Sequence, residues 1–486
     1  MNDKNVFLLL GLSALLISIG CTDSAPETDS SDTNTQSSEG EDLATSEQAV
    51  DLAEEMARTA KAEAVKRRDA ALESESSPDL TEEPVATTAT DESVVTFNPG
   101  PDAQKKVLEE LILAEPGTVF QFEEGVFEFT DGLSLTEDNV TIRGRGMDKT
   151  VLNFKQQEAG AEGLYITSDN VLVEDLAIED TKGNALKALK ADNIVLRRVR
   201  AEWTGGPLTT NGAYGLYPVS SKNVLVEECV AIGASDAGIY VGQSIGVIVR
   251  NCKASYNVAG IEIENCHNAD VYNCETTNNT GGILVFDLPD LPQQGGHDVR
   301  VFDNRIYDNN TKNFAPKGNI VGTVSAGTGV MVMANTNVEI FDNEIRDHRT
   351  VNILLVSYLM TGIQIKDANY YPYTEAVHVH DNTFGSGGDK PDNIGGLLMA
   401  TVLGTPVPDI VWDGIVNEEK LVDGQPAKDS GIAIHDNSGD DGEVTFGNLG
   451  GLATLMDPTG AQPSSDLTPH DHFLPSIEPV RIAGVE

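Results

Sequence analysis

The sequence predicts an all-β fold: one single-stranded right-handed parallel β-helix, a solenoid with a capping helix at its start and a tether before it. Three observations predict it. A buried-type register recurs at Val171, Ile194, Val224, Val247, Ala269, Val299, Val338 and Val377, spaced 23, 30, 23, 22, 30, 39 and 39 residues. A period near 22 with insertions at fixed places marks stacked coils. About nine residues before each position stands a small residue and an alternating triplet, as in Gly215-Leu216-Tyr217-Pro218, Gly238-Ile239-Tyr240-Val241 and Gly260-Ile261-Glu262-Ile263. Such period-two runs without hairpin signals between them are short parallel strands with one buried face. Five residues after the register position comes a corner series, Leu176, Val199, Cys229, Cys252, Cys274, Asn304, Asn343, Asn382 and Asn437. It reads as an apolar and thiol ladder followed by an asparagine ladder inside one turn. Parallel crossovers are right-handed by the twist of the strands.

The elements follow in chain order. Residues 1–21 hold Lys4, an apolar run from Val6 to Ile19, and Gly20-Cys21, the pattern of a lipoprotein-type signal peptide with Cys21 as the lipid-bearing residue. Residues 22–95 are acidic and rich in Ser, Thr and Ala; they are too poor in apolar residues to order on a core and read as a tether, with a helix-prone segment over 45–75. Residues 101–115 predict an amphipathic helix with Val107, Leu108, Leu111 and Ile112 inward, closing the open end of the solenoid. The β-helix spans 96–450, its first coil formed by 117–129, with loops at about 202–214, 286–298, 306–328 and 357–374 and an irregular stretch over 401–430. The tail, 451–486, is expected to wrap the far end.

The net charge is −45, which argues against nucleic acid as partner and against an anionic polysaccharide unless a basic patch or Ca²⁺ bridges the two. No other cofactor is expected. Apart from Cys21 the cysteines are Cys229, Cys252, Cys266 and Cys274. Stacked thiols have parallel Cβ vectors and read as buried and free. No CxxCH motif is present, so the chain carries no c-type haem of its own.

Stacked side chains fill the interior of such a fold, so chemistry must use outward columns and loops. One outward column reads Tyr165, Lys187, Tyr217, Tyr240, Glu262, Leu284, Met331, and the next contributes Glu264 and Phe286. Aromatic rungs suit sugar rings, and Lys187, Tyr240, Glu262 and Glu264 are candidate proton donors and acceptors. Tyr217, Tyr240, Glu262, Asp287, Asp290 and His297 are the candidate binding residues, the last three on an adjoining loop. The competing reading is a solvated sheet face. His378, His380 and His435 share one side of the coils and could hold a metal. Phe302 and Phe341 precede His380 in its column, however, so aromatic stacking is the plainer expectation. Asp303, Asp342, Asp381 and Asp436 form an outward acidic column that reads as a solvated corner.

These registers resemble the right-handed parallel β-helix repeat proteins, the superfamily of pectate lyases, alginate lyases and mannuronan epimerases. Gly282-Ile283-Leu284-Val285-Phe286-Asp287-Leu288-Pro289, Asn309-Asn310, Asn313-Phe314-Ala315-Pro316-Lys317-Gly318 and Gly327-Thr328-Gly329-Val330 are similar to an exported β-helix family of unassigned function, a likeness over roughly residues 96–480. Pro469-His470-Asp471-His472 is similar to a Pro-His-Asp element of the epimerases, but it stands in the tail and not on a coil. The resemblance implies an exported protein that tends to be encoded beside dihaem cytochrome-type proteins. Two readings follow. One is a cell-envelope lipoprotein that binds, and in its stronger form modifies, a polysaccharide along its outer face. The other is a non-catalytic envelope scaffold acting with an exported cytochrome-type partner. The residues leave open whether the chain is an enzyme.

Overall fold

A left-handed backbone residue turns each coil at the same corner. Asp175, Arg198, Glu228, Asn251, Asn273, Asp303, Asp342, Asp381 and Asp436 all have φ between +49° and +59°. Asn and Asp tolerate this region better than other side chains, which explains the outward acidic column from the backbone itself. Between the corners lie short strands with inward Val, Ile and Leu. The computed structural model describes residues 93–485 apart from 423, 424 and 441. The signal peptide, Cys21 and the segment 45–75 lie outside the described residues.

The strands stack coil on coil in parallel. Eleven of them, from Asp131–Leu135 to Phe446–Asn448, form one sheet in strict coil order. The remaining strands of each coil pair in the same sense, for example Thr336–Phe341 with Glu375–His380 and the latter with Ile432–His435. The chain is thus a parallel β-helix of the expected register. Its first rung begins slightly earlier than expected, because Ser93–Phe97 pairs with Thr118–Phe122.

The interior changes character along the axis. Phe97, Phe120, Phe122, Phe127, Phe129 and Phe154 fill the first coils, and the later coils are filled mainly by aliphatic side chains, with Trp203, Phe384, Trp412 and Phe446 among them. Each such burial is worth about 1.5–3 kcal/mol. The helix Ala103–Ile112 closes the first coil with Ala103, Val107 and Leu111, one residue per turn. Leu108 is only partly buried against the core, and Ile112, expected inward, is 81% exposed. At the last position of the helix it has turned off the stripe spaced by four.

The corner ladder is as the sequence reads. Cys229, Cys252 and Cys274 occupy consecutive coils, and all four described cysteines are free and buried. From Asn304 the ladder runs on amide to amide: Asn304 Nδ2 donates to Asn343 Oδ1 at 3.0 Å, Asn343 to Asn382 at 2.9 Å, and Asn382 to Asn437 at 2.9 Å. Each Asn also donates to a backbone carbonyl, so the buried amides are satisfied. A second ladder, Asn257, Asn279 and Asn309, lies at another corner. His348 ends it, accepting the Asn309 N–H at 3.4 Å. Burial pushes that imidazole down to about 4, so it is neutral.

Two features depart from expectation. A helix that the sequence reading did not give, Asn393–Leu403, runs into the first residues of the stretch held irregular and packs Met399 and Ala400 on the outer face of the eleven-stranded sheet. Its Gly-Gly start and its nearly all-apolar sequence hide the helical period. The tail does close the far end, where His470 packs on Trp412 and Phe446. Beyond it the chain turns back along the coils. The Ile477 N–H donates to Glu339 at 3.1 Å and the Val480 N–H to Asp270 at 3.1 Å, and Ile482 joins Leu225 and Ile248 in a small apolar cluster.

Candidate functional site

The outward columns of the eleven-stranded sheet carry the chemistry. Strand register places Ser134, Tyr165, Lys187 and Tyr217 in line, and Tyr240, Glu262, Leu284 and Met331 continue the same column on the next coils. Gly242, Glu264 and Phe286 form the neighbouring column. The sequence reading of these columns holds residue for residue.

Burial divides the strip in two. At the N-terminal end Tyr165, Lys187 and Tyr217 are half-buried. The Lys187 ammonium lies 5.8 Å from the Tyr165 ring centroid, 5.3 Å from that of Tyr217 and 3.9 Å from Glu162 Oε1. The Tyr217 ring meets Tyr214 at 4.4 Å and Tyr240 at 4.9 Å, the second contact edge-on. From Tyr240 onward the strip is covered. Tyr240, Glu262, Glu264 and Asp287 are 3%, 1%, 7% and 0% exposed. Both the free-binding-face expectation and the solvated-sheet reading therefore fail for these four residues. The insertions fold back over them, bringing Val321, Val324, Tyr358 and Tyr370 into one apolar cluster with Tyr240 and Phe286. Changing Tyr217 and Tyr240 together to Ala would therefore not be neutral for folding, because Tyr240 is part of that packing.

The covered half is a nest of carboxyl groups with few donors. Tyr240 donates its hydroxyl to Glu264 Oε1 at 2.5 Å, lying across Gly242, where a Cβ would stand 2.3 Å from that hydroxyl. Glycine at 242 is what allows the contact. Asn319, reaching in from the loop, donates to Asp236 Oδ2 at 2.7 Å. Asp287 Oδ1 accepts the Gly296 N–H at 2.8 Å, and Tyr370 donates to the Asp287 carbonyl at 2.5 Å. Neither oxygen of Glu262 has a partner among the described residues, nor does Asp287 Oδ2.

Charge is costly there. Burial raises Glu264 to about 7, Asp236 to about 6 and Asp287 to about 6, against hydrogen bonds that lower each of them. Burial also lifts Glu262 well above the carboxylate range, helped by the neighbouring Asp236 and Glu264 charges. The arrangement therefore holds protons near neutral pH and can give or take one at Glu264 through Tyr240. Among the described residues these carboxylates do not bring three ligand atoms within 4.8 Å of one another, so they form no ready cation cage.

The other candidates fall elsewhere. Asp290 is exposed at a left-handed turn of the 286–298 loop. His297 belongs to the adjacent sheet, where its ring meets that of His267 at a tilt with centroids 4.2 Å apart. His380 and His435 stack on the Phe302–Phe341 column as the aromatic reading expects, with centroids 4.9, 5.2 and 5.3 Å apart. Open recesses of about 510 and 690 Å³ lie at the far end of the solenoid, away from the strip, lined respectively by Trp412 and His472 and by Arg349 and Asp440, among others.

A family model described as a right-handed β-helix region matches residues 130–290 and 208–396, more than half of the chain. The chain belongs to the right-handed β-helix family. No curated protein matches it by sequence. Solved structures to which it is similar include the A-module of the mannuronan C-5 epimerase AlgE4 of Azotobacter vinelandii, at 16% identity over 72% of this chain and 94% of that one, TM-score 0.48. An alginate lyase from Paenibacillus sp. is 13% identical over 60% of this chain and 95% of that one, TM-score 0.37. The pectate lyase Pel9A is 12% identical over 72% and 79%, TM-score 0.35.

Within this β-helix family member, sequence reasoning missed Asp236, Tyr214, Asn319 and Tyr370. Asp236 and Tyr214 precede or open their strands and sit off the outward column. Asn319 and Tyr370 come from insertions whose fold-back has no periodic signal. The one available clue is the Asn313-to-Gly318 run, which holds Asn319 in place through Asn313 Nδ2 bonds to the Val321 and Val324 carbonyls at 2.8 and 3.0 Å.

Proposed function

We propose that this protein binds a polysaccharide along the half-open strip of Tyr165, Lys187 and Tyr217, as an exported, lipid-anchored protein of the cell envelope. The observation that carries the reading is the continuity of that strip with the Tyr240–Glu264 pair. Aromatic rungs and one lysine lead directly to a carboxyl that burial keeps protonated near neutrality. Stacked tyrosines supply sugar-ring contact at about 1 kcal/mol each. A carboxyl that titrates near neutrality and is hydrogen-bonded to a phenol is the kind of group that serves as a general acid beside a bound glycan. The surrounding acidity favours a neutral glycan over an anionic one.

The test is retention of the purified protein on an array of neutral and uronate polysaccharides. Tyr217→Ala and Lys187→Ala should each weaken binding to any glycan that is held, about fivefold to tenfold, without moving the thermal midpoint by more than a few degrees. If no glycan is retained, or if both variants bind with wild-type affinity, the reading fails. The scaffold reading would then stand, and it expects an exported cytochrome-type protein to co-purify with the lipoprotein from its own membranes.

A further inference from the structure

On the other sheet, strand register sets Glu339 beside His378 in one outward column and His380 beside His435 in the next. All four side chains are buried, at 4%, 6%, 13% and 5% exposed. Their hydrogen bonds fix which nitrogen carries a proton. His380 Nδ1 lies 2.8 Å from Asp381 Oδ2, and His435 Nδ1 lies 3.0 Å from Asp436 Oδ2. A carboxylate accepts, so each Nδ1 carries a hydrogen and His435 Nε2 presents a lone pair inward, while His380 Nε2 faces a second carboxylate, Glu339, across a contact that either a proton or a metal ion can occupy. His435 Nε2 then accepts from His378 Nε2, 2.6 Å away. That assignment leaves His378 Nδ1 with a lone pair and no partner among the described residues.

The result is three electron-pair donors facing one point. His380 Nε2 stands 3.2 Å from Glu339 Oε1, and His378 Nδ1 stands 3.9 Å from the same oxygen. The ligand atoms of all three residues lie within 4.8 Å of one another, and no other such trio occurs among the described residues. A proton on His380 Nε2 closes its contact with Glu339, but only a metal ion in that place also reaches His378 Nδ1, which has no other partner among the described residues. Bonds of about 2.0–2.2 Å to one ion at tetrahedral angles put donors roughly 3.3–3.5 Å apart. The observed separations sit on either side of that.

We propose that Glu339 Oε1, His378 Nδ1 and His380 Nε2 bind one divalent first-row transition-metal ion. Two imidazoles and one carboxylate suit such an ion, while Ca²⁺ demands six or more oxygens. One ion would also give a partner to His378 Nδ1, the buried ligand atom of the trio that has none among the described residues. The outer contacts are also those that hold metal ligands: Asp381 orients His380, the relay from Asp436 through His435 orients His378, and Ile477 N–H holds Glu339 Oε2 at 3.1 Å. The last contact ties the ion to the returning tail, and Phe473 covers His435 with centroids 4.0 Å apart. Metal binding should therefore clamp residues 473–482 onto the coils.

The test uses the full chain, stripped by chelator and titrated with Zn²⁺ and separately with Co²⁺. The expected result is one equivalent bound, a Co²⁺ visible spectrum of low coordination number, and slower amide exchange at residues 474–482. His378→Ala and His380→Ala should each lose at least 100-fold in affinity, and His472→Ala, close by but outside the trio, should lose none. Asp381→Asn, whose side chain is 55% exposed, should weaken binding tenfold or more with the fold intact. Binding of less than a fifth of an equivalent, or wild-type affinity in folded His378→Ala or His380→Ala, overturns the site. Should those two variants unfold, Asp381→Asn decides alone, and unchanged affinity there overturns it.

Discussion

Replacing Glu264 by Gln removes one titrating group and keeps its neighbours, because an amide oxygen can still accept the Tyr240 hydroxyl now 2.5 Å from Oε1. Burial raises this carboxyl from 4.5 to about 7. The folded state then holds a proton that the unfolded chain has released, so stability is fully present below pH 4.5 and is lost as pH rises through 7. A shift of about 2.5 units corresponds to about 3 kcal/mol from this one group. Asp236 and Asp287, raised to about 6, and Asp413, raised to about 7, act in the same direction and persist in the variant. The assay is urea denaturation of wild type and Glu264→Gln at half-unit steps from pH 4.5 to 8.5. Near pH 4.5 the two should agree closely. By pH 8.5 the variant should be the more stable by up to about 3 kcal/mol, with its own pH slope reduced but not abolished. A difference that does not change with pH, or one that turns against the variant as pH rises, refutes the protonated-carboxyl account of the strip.

Gly242→Ala should cost about 1–3 kcal/mol, because the new Cβ falls within 2.6 Å of the Tyr240 ring. In a Tyr240→Ala background the added cost should nearly vanish, a double-mutant cycle read by urea midpoints. Asn343→Ala removes the bridge between Asn304 and Asn382 and leaves buried backbone groups unpaired, which should lower stability by about 2–3 kcal/mol in the same measurement. Cys229, Cys252, Cys266 and Cys274 are buried and, for Cys229, Cys252 and Cys266, pushed up by that burial. All four should resist alkylation at pH 8 over hours and react together once urea unfolds the coils.

Much of the molecule was legible in one dimension because a β-helix repeats its neighbours. A residue at one register position meets the same position a coil away, so alternation, corner residues and the Cys-to-Asn ladder translate directly into contacts. That is why the Tyr165–Lys187–Tyr217–Tyr240–Glu262 column and the stacking of Cys229, Cys252 and Cys274 could be written down from spacing. The positive-φ corner gives the acidic column at Asp303, Asp342 and Asp381 the same local origin.

What only the tertiary structure decided is everything that leaves the coil. The insertions over 306–328 and 357–374 and the helix at 393–403 carry no repeat, so nothing in the spacing says that they fold down over one face. Their covering pushes the Glu262 and Glu264 carboxyls up, Glu264 to about 7, since the charge state depends on water that the loops exclude. The tail likewise gives no periodic sign that Ile477 will return to Glu339, 138 residues earlier, and help to aim it at His378 and His380. Local spacing determines which residues share a face. Whether that face meets water is a property of the chain folded back upon itself.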